Sequence, residues 1–351
     1  MVGRLAARLR EGNRALEQPT TISANLDVQA SAPRVAVSLS RVGVTGVEKV
    51  IRIGTEEHAQ LFSARLECFV DLGPAQKGAH MSRFEEVVNE AIGEVILGET
   101  AFKAEQLAQR IAERVRERQG ARRAEVTIAA RYPEYKPAPV SGIRTQEIYT
   151  LYGSAVASAH GTRRLVGVAA QGMTACPCAQ GLVADAARER LADDGFGEDE
   201  IVRILGAVPV ATHNQRGLGT LHIGCPEAND TEIEASTLLK IVEGSMSSEI
   251  YELMKRSDEG AVVEKAHRRP RFVEDCVREM LGGVLELFGD LDGGAFVSAR
   301  QENLETIHQH NVVAERFGTL GELRHEIASG DLAPRHTSLR DWLDAAPVAT
   351  R

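Results

Sequence analysis

No apolar run in this 351-residue chain approaches the roughly 18 residues of a membrane helix, so no membrane-spanning function is expected. The start carries arginines at positions 4, 8 and 10 but no apolar stretch of signal-peptide type, which points away from export and toward the cytoplasm. Positive charge is also short. With 41 Lys and Arg against 50 Asp and Glu, the formal charge is −9, and no nucleic-acid or anionic-membrane partner is expected, because phosphate backbones need clustered cations. A small anionic ligand, which needs only a local basic pocket, stays open. The five cysteines are too few and odd in number for a disulfide framework. Each thiol is therefore judged separately as packing, ligand or nucleophile.

Enough apolar material is present for a core: 43% hydrophobic and 26% charged residues suit one large or two ordinary domains. Val35 to Leu39, Glu48 to Ile53 and Leu61 to Leu72 read as strands. Ser82 to Leu97 and Lys103 to Gln119 read as helices, the second on the spacing of Leu107, Ile111 and Val115. Ala124 to Arg131 and Glu147 to Ser158 read as strands again. The second half repeats this order, with strands at Arg164 to Ala170 and Gly219 to Ile223, helices at Thr237 to Met254 and Phe272 to Phe288, and a strand at Ala295 to Glu302. Between them, Gln180 to Pro209 is charged and broken by Gly195 and Gly197, an insertion of one or two small helices. The expected layout is an arm over 1–26, a first module over 27–160, a second over 161–325 with the insertion at 180–209, and a tail over 326–351. Each module is an antiparallel sheet with two helices on one face, an α+β arrangement whose open edges invite pairing with other subunits.

The strongest local signal is Gly172-Met173-Thr174-Ala175-Cys176-Pro177-Cys178. In extended chain, residues two apart face one side, so both sulfurs would line one site; a pair of buried structural thiols is the alternative. Thr212-His213-Asn214-Gln215-Arg216-Gly217 is a polar turn into a strand, 37 residues after Cys176 and too distant for a zinc knuckle. A metal held there has few protein ligands and an open position for water, as catalytic sites do. Glu243 to Glu252 reads as a helix with interleaved serines and carboxylates, either a solvated face or one on which Glu249 supplies a hard oxygen ligand. Glu264 follows, a carboxylate able to accept from a purine edge. Cys68, Cys225 and Cys276 read as structural. Glu305-Thr306-Ile307-His308-Gln309-His310 puts titratable groups in one extended stretch, suited to moving protons. Lys77, His80, Ser82 and Arg83 sit at a glycine-bearing loop opening a helix, where free N–H groups favour anions.

Taken in order from about Asp27 to Leu323, these blocks resemble the type IB GTP cyclohydrolases. The stretch Asp27-Val28-Gln29 and the loop Val42-Gly43-Val44-Thr45-Gly46 look like the start of that family. Lys77-Gly78-x-His80-Met81-Ser82-Arg83, Cys176-Pro177-Cys178, His213-Asn214-Gln215-Arg216 and Glu305-x-Ile307-His308 are similar to its site motifs. Gly-Met-Thr-Ala-Cys-Pro-Cys-Ala-Gln with the long insertion before His213 looks like the archaeal branch that feeds methanopterin synthesis. The resemblance implies a tunnelling fold of two tandem modules, assembled as a homotetramer, or homodimer, with sites between subunits. It implies one divalent metal per subunit, Fe²⁺ first, then Zn²⁺ or Mn²⁺, held by Cys176, His213 and Glu249, with Glu243 the rival for the carboxylate. Glu264 would anchor the guanine, Lys77, His80, Ser82 and Arg83 would contact phosphates, and Glu305 with His308 would assist catalysis beside Cys176. The implied reaction is hydrolysis of GTP at C8 with loss of formate, giving a dihydroneopterin triphosphate or 2′,3′-cyclic phosphate for a folate or methanopterin pathway. Two other readings stand beside it: a nitrile reductase of the same fold with a cysteine nucleophile, and a non-catalytic purine- or pterin-binding protein.

Overall fold

The structure, a computed structural model, describes residues 27–53, 60–97, 103–225, 233–332 and 335–345. The arm expected over 1–26 lies outside them. One antiparallel sheet organises the chain. Its first four strands are β1 (Leu39–Ile53), β2 (Gln60–Leu72), β3 (Ala124–Pro137) and β4 (Arg144–Ser158), with helices α1 (Met81–Leu97) and α2 (Ala104–Gln119) between β2 and β3. Next come β5 (Gly161–Ala175), α3 (Pro177–Asp193), α4 (Glu198–Ala207), β6 (Asn214–Cys225), α5 (Ala235–Ser245), the two-residue β7 (Ser248–Glu249), α6 (Arg256–Arg268), α7 (Val273–Leu287), β8 (Phe296–Leu304) and β9 (Val312–Thr319). Two short helices, α8 (Leu320–Ser329) and α9 (Leu339–Asp344), close the described chain, so α8 crosses the boundary expected at 325. Strands pair in the order β1-β2-β3-β4-β5-β6-β8-β9, with β7 hydrogen-bonded to β5. The strand–strand–helix–helix–strand–strand order of the first half recurs in the second with α3, α4, β7 and α6 added, the α+β arrangement of a tunnelling fold, its halves joined where β4 pairs with β5.

Strand alternation builds the core. On one face of the sheet, Leu66, Val126, Ile128, Leu151, Val168, Leu221, Ile223 and Val297 are buried with helix residues of both halves in one continuous cluster. Leu107, Ile111 and Val115 of α2 are all fully buried, as their spacing predicts, each side chain contributing about 1.5–3 kcal/mol. Gly120, at φ 62, ends that helix in a left-handed cap. Cys68 and Cys276 are part of this cluster, and burial pushes both thiols up to about 12, in keeping with a packing role.

Four expectations are corrected. The two strands read at 35–39 and 48–53 are one strand beginning at Leu39; the glycines between them mark a bulge, Gly46 taking φ 68 at the register shift between Val44 and Val47. The helix read over 237–254 stops at Ser245. Its serines serve other backbone groups: Ser245 Oγ donates to the Val242 carbonyl, 2.7 Å, and Ser247 Oγ accepts from the Ala175 N–H, 3.0 Å. Glu249 therefore lies on β7, opposite Gly172. The Glu305–His310 stretch is a bent loop between β8 and β9 rather than an extended strand.

A missed helix, α6, ties the halves together. Asp258 in its first turn accepts from the N–H groups of Val140 and Ser141, both 2.8 Å, from Ser141 Oγ, 2.7 Å, and from its own N-cap, Lys255, 2.8 Å. Burial raises this carboxyl, but those hydrogen bonds outweigh it and hold it well below the usual carboxylate range. The other sheet face carries α9, whose Trp342 packs on Phe296 and Leu165. Among the described residues no helix is long and apolar enough to cross a membrane.

Candidate active site

The ends of β5 and β6 make the site. Ala175 pairs with Asn214 in the antiparallel ladder, which sets Cys176 beside His213 although 36 residues separate them in the chain. The Cys176 N–H donates to the His213 carbonyl, 3.1 Å, and Thr212 Oγ1 donates to the Cys176 carbonyl, 2.8 Å. Pro177 then opens α3, with Cys176 as its N-cap and the Ala179 N–H aimed at Sγ from 3.5 Å. A helix start removes the two-residue alternation of extended chain. Cys178 is accordingly exposed and outside the Cys176 cavity, which corrects the expectation that both sulfurs share one site.

Neighbouring groups fix the imidazole. Gln215 Nε2 donates to Thr174 Oγ1, 3.1 Å, so its Oε1 is the atom that accepts from His213 Nδ1, 3.0 Å. Glu305 Oε2 stands 3.8 Å from the same nitrogen. In the neutral ring this contact places the proton on Nδ1 and leaves Nε2 as the atom that can ligate a metal or accept a proton. Glu305 arrives on the loop after β8, since the β6–β8 register sets Arg216 against Leu304.

Cys176, His213, Asn303, Glu305, His308 and His310 line one cavity of about 260 Å³, with Arg271 and Glu274 on its α7 side. The rings of His308 and His310 stack, centroids 5.2 Å apart. Arg271 is fixed by donating to the Ser245 carbonyl, 2.7 Å, and by Glu279, 3.0 Å. Four expected residues thus come together: Cys176, His213, Glu305 and His308. Others lie elsewhere within the chain. Glu249 pairs with Lys265 at 2.5 Å; burial raises its carboxyl, but Lys265 brings it below the usual range. Glu243 is paired with Lys136, 2.7 Å, and accepts from Tyr149 OH, 2.8 Å. Glu264 is exposed on α6 and bonded to Arg268, 3.0 Å. His80 and Arg83 line a second cavity of about 240 Å³ in the first half, where His80 meets Asp27 at 3.4 Å; Lys77 and Ser82 are exposed beside it.

Cys176 and His213 suit a borderline divalent cation by their donor chemistry, one soft sulfur and one imidazole with its outer nitrogen already engaged. Among the described residues, however, no three His, Cys, Asp or Glu side chains are grouped closely enough to hold a metal. Thr174, Asn303 and Arg271 are neighbours that the motifs did not reveal. One signal existed for Asn303: Gln301, Asn303 and Glu305 repeat at a spacing of two, a polar row on one strand face. A larger cavity, about 620 Å³, lies on the other sheet face beneath α9. Its guanidinium groups are already paired, Arg41 with Glu125, Arg123 with Asp344 and Arg300 with Glu302.

The α+β chain thus gathers a thiol, an imidazole and a carboxylate at its strand ends. Residues 26–314 match the family model described as Type I GTP cyclohydrolase folE2. GTP cyclohydrolase MptA of Methanococcus aeolicus is 42% identical over 311 residues, covering 86% of this chain and 99% of that protein. GTP cyclohydrolase MptA of Methanosarcina mazei is 42% identical over the same length, covering 86% and 97%. The chain belongs to the type I GTP cyclohydrolase family, and the resemblance read from its motifs, to the archaeal branch, is borne out. Among solved structures, uricase from Arthrobacter globiformis matches 82% of this chain and 96% of its own with a TM-score of 0.45 at 8% identity. A uricase from Bacillus fastidious matches 84% and 98% with 0.43 at 10%. At that level the likeness is one of general outline and says nothing about the site.

Proposed function

We propose that this chain is a metal-dependent cyclohydrolase that opens the imidazole ring of GTP at C8, releases formate and yields a 2′,3′-cyclic phosphate of dihydroneopterin. The observation that supports this best is the pairing of Cys176 with a His213 whose Nδ1 is engaged by Gln215, in one cavity with Glu305 and His308. When bound, a divalent ion would supply Lewis acidity that lowers the pKa of a water to roughly 7. Cys176 Sγ and His213 Nε2 are the donors for it. His308, on the loop, and Glu305, beside the imidazole, hold and move the protons that leave water and reach the ring nitrogens as two waters add in turn and formate departs. The cyclic-phosphate product is favoured over the triphosphate by the archaeal-type motif and insertion, and by relatives that bear an archaeal cyclohydrolase's name.

The remaining assignments require more than one chain. Lys77, His80, Ser82 and Arg83 belong to the first half and would meet GTP phosphates of a site completed by a neighbouring subunit, in a homotetramer or homodimer. Glu264 would anchor the guanine edge, and Glu249, released from Lys265, would be the third ligand. The test is anaerobic incubation of the purified chain with GTP and Fe²⁺, Zn²⁺ or Mn²⁺, with formate and the pterin product read by mass. Formate with a cyclic phosphate is expected. Cys176→Ala is expected to lose both turnover and bound metal; an active, metal-replete variant would overturn the ligand assignment.

A further inference from the structure

Two amides run into the site beneath its floor. Gln301 and Asn303 point to one face of β8, and both are buried, at 0% and 2% exposure. Across the ladder they face Gly219 and Gly217 of β6. Those glycines make the room: a Cβ on Gly217 would overlap Gln301 Nε2, and one on Gly219 would come within 3.0 Å of Gln301 Oε1. Gln301 Nε2 donates to Asn303 Oδ1, 3.1 Å, while Gln301 Oε1 has no hydrogen-bond partner among the described residues. A buried amide pair left half satisfied is a poor structural device, since apolar side chains of similar size would fill the space without that cost. Its effect is directional. With Oδ1 turned to Gln301, the NH₂ of the planar Asn303 amide faces the other way. Asn303 lines the cavity of Cys176 and His213.

Resting on the cyclohydrolase reading, we infer that Asn303 is a substrate-contacting donor to N7 of the purine, and that Gln301 is the positioning residue that turns its NH₂ toward the cavity. N7 is the acceptor bonded directly to C8, so a donor there grips the base next to the atom under attack and helps take up charge as the ring opens. An amide is suited to this, because it keeps donating at every pH of the reaction and does not compete with His308 as a proton carrier.

The full-length, metal-loaded enzyme is assayed for formate release from GTP, with 7-deaza-GTP, which has C–H in place of N7, titrated as a competitive inhibitor. Asn303→Ala is expected to lower kcat/KM for GTP about tenfold, the scale of one hydrogen bond at a buried site, and to leave the inhibition constant of 7-deaza-GTP unchanged. Asn303→Asp keeps the shape and the acceptor for Gln301 but removes the donor, so it is expected to lose at least as much; a steric role would survive it. Gln301→Leu is expected to lower kcat/KM for GTP as well, by less and through a higher KM, with the 7-deaza-GTP constant again unmoved. Variants that match wild type on GTP, or that weaken GTP and 7-deaza-GTP alike, overturn the inference and leave the cyclohydrolase reading intact. Wild-type enzyme that releases no formate overturns both.

Discussion

Acidification tests the packing of one histidine with a sign that can be worked out in advance. His222 lies on β6, its ring 5.2 Å from that of Tyr152 and against Gly167, where a Cβ would overlap it. Burial pushes this imidazole down from its ordinary 6.5 to about 4, so the folded protein keeps it neutral. The unfolded chain takes up a proton near 6.5 that the native state refuses. Stability from this group is therefore complete above that pH, falls as pH drops toward about 4, and changes no further below. The shift corresponds to about 3 kcal/mol; the residue as a whole is only half-buried, which brings the expectation to about 2 kcal/mol. The assay is urea unfolding at several pH values for wild type and His222→Phe, which keeps the ring and removes the titration. The difference between the two proteins subtracts every other titrating group. Parallel pH profiles, or an NMR titration of His222 near 6.5, would refute the reasoning.

Three further outcomes are expected. Gln215→Leu removes the acceptor that fixes the His213 proton and should reduce turnover about 10- to 100-fold, the usual scale for a partner of a ligating histidine; unchanged turnover would mean the tautomer is set by Glu305 alone. Asp258→Ala releases the 138–143 hairpin from α6 and should lower the urea midpoint and admit protease to that turn, with the loss of the wild-type contact seen on acidification only below the ordinary carboxylate range. Glu249→Gln should reduce metal content per chain if Glu249 leaves Lys265 to become a ligand, while full metal content with Cys176 and His213 intact would restrict Glu249 to its ion pair.

Much of the frame was legible because it follows local rules. Leu107, Ile111 and Val115 declare α2 by spacing alone, and Gly195 and Gly197 mark the break between α3 and α4. What was illegible is set by register between distant segments. Met246 to Ile250 carries residues that suit a helix end, and only pairing with Gly172 and Met173 makes Ser248–Glu249 a strand. Helix α6 buries only Asp258, Val262 and Ala266, too few apolar positions to announce itself. In the site, Cys176 and His213 were readable as chemistry. Their adjacency came from the ladder, and the role of Thr174 and Asn303 from facing side chains that no motif spacing encodes.

The family's matched stretch ends at residue 314, yet Trp342 beyond it is 3% exposed, its Nε1–H donating to the Gly294 carbonyl, 2.8 Å, and its ring 5.6 Å from that of Phe296. Helix α9 thus covers an oily patch that would otherwise be bare to water. Shortening the chain before residue 339 should therefore yield a sticky protein rather than a trimmed one. Relatives that end earlier are expected to carry hydrophilic side chains where this chain has Leu165 and Phe296.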